Sequence, residues 1–213
     1  MAEIVKIDPR SPDLPCLRRA AELLRQGEVI AIPTDTFYGL AANPFDLTAV
    51  EKVFSLKGRV KASPLLLLVD SVEMAAELSQ DLPPLFFPLA ERFWPGLLTI
   101  IVEASPKIPP PVTAHTGRIG LRLPAAAIPV MLVREAGFPV TGTSANLSGG
   151  PACSTAEEVQ RCLGERLPLI LDGGTSRLTK PSTVLSLRAD SWEMLREGAV
   201  PPAEIAEALK NWP

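Results

Sequence analysis

Short apolar runs separated by amphipathic segments limit the folds open to this chain more than any other feature. The longest uninterrupted aliphatic run, Leu65 to Val69, has the length of a strand covered on both faces. It is far shorter than the ~18–20 residues that a membrane span needs. Between such runs lie segments with helical spacing, of which the clearest begins at Leu14 and stops near Gly27. Strands and helices therefore intermingle, and the sequence predicts an α/β (α+β) fold.

The order of these segments predicts a single domain over residues 1–213, with a twisted, mixed parallel and antiparallel sheet flanked by helices. We predict helices at 14–26, 48–57, 72–78, 85–93, 130–136, 154–163 and 203–210. We predict strands at 29–32, 65–69, 97–102, 119–123, 140–143, 169–171, 183–187 and 192–195. The last strands have no helix between them, so part of the pairing must be antiparallel.

Four local patterns refine this prediction. The capping boxes Thr48-x-x-Glu51 and Ser154-x-x-Glu157 are expected to begin the second and sixth helices. The segment 34–40 is too polar at its start to be core. The proline-rich stretch 105–113 is expected to be an exposed connection.

Composition excludes several kinds of protein and site. With 46% hydrophobic and 21% charged residues, the chain can bury a globular core. The single histidine, His115, excludes a two-histidine metal site and leaves no obvious base for a Ser-His-Asp triad. The three cysteines form no close-spaced pair, and the net charge of −3 provides no strongly basic footprint for nucleic acid. The N-terminus lacks the apolar core of a signal peptide, so we expect a cytoplasmic protein without membrane contact.

Small, hydroxylic and cationic residues cluster at chain turns, where open α/β sheets bind their ligands. Four segments have this character: Pro33-Thr34-Asp35-Thr36, Lys57-Gly58-Arg59, Gly142 to Gly150, and Pro181-Ser182-Thr183-Val184 with Arg196. They favour a pocket for an anionic small molecule, with the cations neutralising charge and the small loop turning backbone N–H groups toward it. Each also has a structural interpretation: a hydroxyl-capped turn, cations that complement a helix dipole, a flexible loop, and a solvated arginine.

Taken in order, these segments resemble the YrdC-like family of L-threonylcarbamoyladenylate synthases. The resemblance covers about residues 14–200 and rests on an ordered set of motifs. The motifs are Pro33-Thr34-Asp35-Thr36-Phe37-Tyr38-Gly39-Leu40, Lys57-Gly58-Arg59, Phe93-Trp94-Pro95-Gly96, Gly120-Leu121-Arg122-Leu123-Pro124, Ser144-Ala145-Asn146-Leu147-Ser148-Gly149, Ser182-Thr183-Val184 and Leu195-Arg196-x-Gly198-Ala199. The resemblance implies the YrdC-like fold in its short form, without an additional C-terminal domain.

The resemblance also implies a reaction. In this family ATP, L-threonine and bicarbonate give threonylcarbamoyl-AMP and pyrophosphate, a nucleotidyl transfer. A partner complex then transfers the threonylcarbamoyl group to tRNA. A direct but weak contact between this chain and tRNA is left open. Mg²⁺ would accompany ATP and be held by phosphates and water rather than by a cage of carboxylates.

Site residues follow from the same resemblance. The residues implied to be catalytic are Lys57, Arg59, Ser144 and Asn146. Those implied to contact ATP are Lys57, Arg59, Ser63, Asn146, Ser154 and Arg196. Those implied to hold threonine or its carbamate are Thr36, Arg122, Ser144 and Ser182. Arg122 has the planar fork that suits the carboxylate of an amino acid.

Two positions depart from the family pattern. Leu68 stands where many members have a histidine, and Pro181 stands where a glutamate is common. The first departure predicts a threonine pocket that is more apolar or filled differently, and the second leaves the orientation of Ser182 open.

Two other functions remain open. A YrdC-like unit also forms a carbamoyl adenylate from carbamoyl phosphate and ATP during hydrogenase maturation. A non-catalytic paralogue that binds RNA is the second alternative. The net charge of −3 argues against tight general binding of RNA, and the intact Lys57-x-Arg59 and Ser144-x-Asn146 elements argue against loss of the reaction.

Overall fold

The computed structural model describes residues 1–58, 64–176, 180–189 and 191–210. In chain order its elements are β1 (Glu3–Lys6), α1 (Leu14–Arg25), β2 (Ile30–Ile32), β3 (Gly39–Ala41), α2 (Leu47–Lys57), β4 (Leu66–Leu68), α3 (Val72–Leu78), α4 (Phe86–Phe93), β5 (Leu98–Glu103), β6 (Arg118–Arg122), α5 (Ala127–Ala136), β7 (Val140–Thr141), β8 (Thr143–Ser144), α6 (Ala156–Leu163), β9 (Leu169–Asp172), β10 (Thr183–Leu187), β11 (Trp192–Arg196) and α7 (Pro202–Leu209). A short 3₁₀ turn, Gly164–Arg166, follows α6.

The described strands form two sheets of mixed parallel and antiparallel pairing. One has five strands in the order β1-β9-β2-β3-β8, and the other has six in the order β11-β10-β5-β6-β4-β7. The predicted α/β class and mixed pairing are confirmed, with the strands distributed over two sheets. The last two strands are antiparallel, as predicted, with Val184 opposite Arg196.

The chain passes directly from one sheet to the other around Gly142. Thr141 ends β7 in the six-stranded sheet, and Thr143 begins β8 in the five-stranded sheet. Gly142 lies between them and donates its N–H to the Leu66 carbonyl oxygen over 2.8 Å. A Cβ at Gly142 would lie 2.7 Å from Leu68 Cγ, so this crossing has no room for a side chain.

Helices cover the sheets and complete two apolar clusters. Leu17 and Leu24 of α1 pack with Leu132 of α5 and with the five-stranded sheet. Phe86 and Leu89 of α4 belong to the larger cluster, which contains β5 and β6. None of the helices in the described ranges is both long and apolar enough to cross a lipid bilayer.

Both predicted capping boxes are wrong in position. The cap of α2 is Asp46, whose Oδ1 accepts from the N–H of Thr48 over 2.8 Å, so Thr48 lies inside the helix. At α6 the cap is Thr155, whose Oγ1 accepts from the N–H of Glu158 over 3.2 Å. In both cases a neighbouring oxygen reaches the first turn and satisfies its N–H groups better than the predicted cap does.

Two segments expected at the surface are partly core. Tyr38 and Leu40 are fully buried, because the segment that begins as a polar turn continues into β3. Within the proline-rich connection 105–113, Ile108 and Val112 are buried, so this stretch folds back onto the larger cluster. The sequence prediction also missed β1, a short edge strand that pairs in parallel with β9.

Candidate active site

Residues from both sheets enclose a cavity of about 670 Å³. Seven of the ten predicted site residues line it: Thr36, Lys57, Arg122, Ser144, Asn146, Ser182 and Arg196. Ser154 does not line it. Arg59 and Ser63 lie outside the described residues. The fold therefore brings together side chains from segments that are far apart in the sequence.

Lys57 forms the centre of the first polar group. It is the last residue of α2 and is only 4% exposed. Its ammonium lies 2.5 Å from the Ser144 carbonyl oxygen, 3.1 Å from the Asn146 carbonyl oxygen and 3.2 Å from Asn146 Oδ1. These oxygens orient the charge toward the loop, so Lys57 both contributes a buried cation and fixes the backbone of residues 144–146.

The loop after β8 is held by further hydrogen bonds. Ser144 Oγ donates to Asn146 Oδ1 over 2.6 Å, and Asn146 Nδ2 donates to the Gly150 carbonyl oxygen over 2.6 Å. The Ser148 N–H donates to the Lys57 carbonyl oxygen over 2.9 Å. The loop is therefore a structured wall of the cavity rather than the flexible surface loop that its composition also allows.

Arg122 forms the centre of a second polar group. It ends β6 with only 3% of its surface exposed. Its Nε donates to the Gly96 carbonyl oxygen over 2.9 Å, and its Nη1 donates to Thr36 Oγ1 over 3.3 Å. Its Nη2 forms an ion pair with Asp35 Oδ1. Burial lowers the pKa of Arg122, and the adjacent Asp35 carboxylate opposes that shift.

The hydroxyl groups of the first motif form a directed chain. Thr34 Oγ1 donates to the Phe37 carbonyl oxygen over 2.6 Å and lies 3.0 Å from Thr36 Oγ1. Because the only hydrogen of Thr34 Oγ1 is already used, Thr36 must donate to Thr34 and accept from Arg122. The orientation of the Thr36 hydroxyl is thus set by the arginine.

Ser182 and Arg196 form a third polar group at the start of β10 and the end of β11. Arg196 Nε and Nη2 donate to the Ser182 carbonyl oxygen over 3.1 and 2.9 Å, and Ser182 Oγ lies 2.9 Å from Thr99 Oγ1. A Cβ at Gly198 would lie 2.6 Å from the Ser182 carbonyl oxygen, so the two segments approach closely only with glycine there. Arg196 is therefore anchored against Ser182, although the residue as a whole remains exposed.

The two residues that depart from the family pattern both line the cavity. Leu68 is 1% exposed and lies beside Leu65 and Leu66 in the lining. Pro181 directly precedes the anchored Ser182. The cavity thus has an apolar wall next to its polar groups.

Ser154 takes part in the packing of α6. Its N–H donates to Glu158 Oε2 over 2.6 Å, and its carbonyl oxygen accepts from the Ser176 N–H over 2.8 Å. The neighbouring Cys153 is buried, and burial together with the Cys162 thiol raises its pKa. A thiolate is therefore disfavoured at Cys153.

Sequence reasoning missed two polar residues of this region. Asp35 pairs with Arg122. Thr99, which lies in β5, contacts Ser182 at the start of the neighbouring β10. The position of Asp35 inside the first motif was a usable signal, whereas Thr99 in the apolar run of β5 offered none. Within the described ranges, no group of three or more His, Cys, Asp or Glu side chains is placed to hold a metal ion.

The whole motif-bearing region matches one protein family. Residues 22–198 match the Sua5/YciO/YrdC family model, which carries the description telomere recombination. The chain belongs to the Sua5/YciO/YrdC family. The resemblance inferred from the ordered motifs is thereby confirmed.

Relatives within the Sua5/YciO/YrdC family extend this likeness. The threonylcarbamoyl-AMP synthase of Bacillus subtilis is 38% identical over 203 residues, which are 95% of this chain and 59% of that protein. A putative threonylcarbamoyl-AMP synthase of Mycobacterium tuberculosis is 34% identical over 190 residues, covering 89% of this chain and 87% of the relative. This chain therefore spans about three fifths of the Bacillus protein and most of the mycobacterial one.

Solved structures of the family have the same fold. Pyrococcus abyssi Sua5 complexed with L-threonine superposes with a TM-score of 0.94 at 33% identity, over 98% of this chain and 61% of that one. Escherichia coli YciO superposes with a TM-score of 0.86 at 27% identity, over 94% of this chain and 98% of that one. These likenesses confirm the fold predicted from the sequence.

Proposed function

We propose that this family member is an L-threonylcarbamoyladenylate synthase that joins ATP, L-threonine and bicarbonate. The observation that carries the proposal is the convergence of Lys57, Arg122 and Arg196, each with hydroxyl or amide partners, on one cavity. Relatives named threonylcarbamoyl-AMP synthase, and a solved relative complexed with L-threonine, support the same reaction.

The reaction balances in two steps. The threonine amine attacks the bicarbonate carbon, water leaves, and the product is a carbamate. A carbamate oxygen then attacks the α-phosphorus of ATP, the bond to the β-phosphate oxygen breaks, and pyrophosphate leaves. Nucleotidyl transfer of this kind depends on positioning and charge neutralisation more than on a dedicated base. A cavity that contains cations and hydroxyl groups but no histidine suits this chemistry.

The polar groups divide the substrates between them. Lys57, with Ser144 and Asn146, would face the phosphates, where its charge stabilises negative charge that develops on the leaving pyrophosphate. Arg122, Thr36, Ser144 and Ser182 would hold threonine and its carbamate. Mg²⁺ would arrive with ATP as part of the substrate, coordinated chiefly by phosphate oxygens and water.

The product would be an activated threonylcarbamoyl group. A tRNA-modifying transferase complex would consume it, and this chain would supply the adenylate in the cytoplasm. A weak contact with tRNA, which the sequence leaves open, belongs to the same proposal.

The test is release of pyrophosphate from ATP and Mg²⁺, with threonine and bicarbonate omitted in turn. Release that requires both substrates supports the proposal. Release with carbamoyl phosphate in their place would instead assign the carbamoyl-adenylate reaction. Binding of ATP without release under any combination would overturn the synthase and favour the RNA-binding alternative.

A further inference from the structure

We propose that Asp35 is a positioning residue for recognition of the amino-acid carboxylate, acting through Arg122. This inference rests on the proposed function, since it concerns the threonine side of the same cavity. Asp35 is absent from the residues that line the cavity, although it is in direct contact with Arg122, which does line it. Asp35 thus supports the arginine from outside the lining.

Both oxygens of Asp35 have donors in the folded chain. Oδ1 accepts from Arg122 Nη2, and Oδ2 accepts from the Ala125 N–H over 3.0 Å. The side chain is 13% exposed. Asp35 therefore joins the turn after β2 to the turn after β6, with Arg122 held between these turns.

The contacts of Arg122 determine what it can offer to a ligand. A guanidinium has five N–H donors. Within the described chain three of its bonds are recorded, from Nε to Gly96, from Nη1 to Thr36 and from Nη2 to Asp35. One N–H then remains on each terminal nitrogen. These N–H groups can donate to the oxygens of a carboxylate, and their directions are fixed only while the guanidinium plane is fixed.

The local charge balance favours an anion at this position. Arg122 and Arg196 both line the cavity, and the proximity of Arg196 further lowers the pKa of Arg122. Asp35 supplies one negative charge to the pair. Asp35 therefore offsets the cost of burying Arg122, and the second guanidinium leaves a positive balance that a substrate carboxylate would neutralise.

Asn cannot replace Asp35 in this arrangement. An amide has one acceptor oxygen, whereas both the Arg122 and the Ala125 contacts require an acceptor. In D35N one of the two donors would face an NH₂ group. A glutamate keeps both acceptors and the charge but is longer by one methylene, so D35E should restore the function of Asp35 in part.

The experiment compares wild type, D35N and D35E, with D70N as the matched control. Asp70 forms an exposed ion pair with Arg134, so D70N removes an Asp–Arg pair that is outside the cavity. Pyrophosphate release is measured against threonine and against ATP, and each protein is melted to confirm that it is folded. L-Threoninol, which has the amine and hydroxyl of threonine but no carboxylate, is the second amino substrate.

We expect D35N to raise the KM for threonine by about tenfold or more, the range for loss of a charged hydrogen bond, and to leave the KM for ATP within about twofold. The preference for threonine over threoninol should fall by a similar factor in D35N and recover in part in D35E. D70N should match wild type in every measurement.

Equal effects of D35N on both KM values, or an unchanged preference for threonine over threoninol, would overturn the positioning role while the proposed function stands. If D35N does not fold, D35E decides alone: we expect it to raise the KM for threonine more than the KM for ATP, and equal rises of both would overturn the role. A wild-type protein that releases no pyrophosphate would overturn the proposed function, and the positioning role with it.

Discussion

The contact between Gly142 and Leu68 allows a sharp test of how the cavity is built. Gly142 has no left-handed backbone angle, so alanine can adopt its conformation, and the only obstacle is space. A Cβ there would lie 2.7, 2.8 and 3.2 Å from Leu68 Cγ, Cδ2 and Cδ1. Because Leu68 is 1% exposed, it cannot move freely, and we expect G142A to lower the free energy of unfolding by about 1–3 kcal/mol, as other overpacked cores do.

The companion variant is L68A. Truncation of a fully buried leucine leaves a void and costs about 2–5 kcal/mol. In the double variant the new methyl at position 142 occupies part of that void, so the clash is absent. We expect the double variant to be no less stable than L68A alone. The interaction free energy should then be about 1–3 kcal/mol in the stabilising direction.

Urea unfolding of wild type, the two single variants and the double variant measures this coupling. Additive losses, with an interaction below about 0.5 kcal/mol, would refute the steric argument. The KM for threonine gives a second readout, because Leu68 lines the cavity and its displacement by a larger residue at 142 would change the shape of the cavity. G142A should therefore raise that KM more than the KM for ATP.

Three further predictions concern individual side chains. K57A or R59A should reduce pyrophosphate release by about a hundredfold or more, as loss of other charge-stabilising donors does. Near-normal turnover in both variants would contradict the assignment of Lys57 and Arg59 to the site. R122A should raise the KM for threonine far more than the KM for ATP in the same assay. Equal rises would contradict the assignment of Arg122 to threonine. Burial raises the pKa of Cys153, so iodoacetamide should alkylate it at pH 8 at least about tenfold more slowly than the exposed Cys162, as measured by peptide mapping. Equal rates would contradict the buried position of Cys153.

The regular elements were predicted well because their patterns are local. The helix Val72–Leu78 has the bounds that its spacing predicts, and Gly137 ends α5 with a left-handed angle, as expected of a glycine there. The strand Thr183–Leu187 also agrees in full. Apolar spacing and helix-stopping glycines act within a few residues, so they can be identified without the rest of the fold.

Two of the errors arise where distant residues decide the structure. β1 is a strand because β9 provides a partner, and no property of residues 3–6 alone specifies that pairing. Ile108 and Val112 are buried because the chain returns to the core, which the prolines around them do not reveal. Asp46 caps α2 instead of Thr48 through a local difference of two residues, which is within the usual uncertainty of element ends.

The candidate site was predicted as a set of residues but not as a network. The ordered motifs placed Lys57, Arg122 and Ser182 in one site, and the structure brings all three to one cavity. The three protein contacts of Arg122 depend on Gly96, Thr36 and Asp35, which come from other turns of the chain. Spacing along a sequence does not show which donors are already used, so the number left for a ligand becomes visible only in the fold.

The parallel pairing of β1 with β9 has a consequence for synthesis of the chain. Glu3 lies opposite Leu169, and Ala31 lies opposite Ile170, so the five-stranded sheet cannot be completed until residue 172 has left the ribosome. Strands β4 to β7 pair with one another within residues 66–141, so these four strands have partners much earlier. Long-range pairings of this kind form slowly. In a nascent chain that stops before β9, the edge of β2 that pairs with β9 would be exposed. We expect chaperones to bind at that edge.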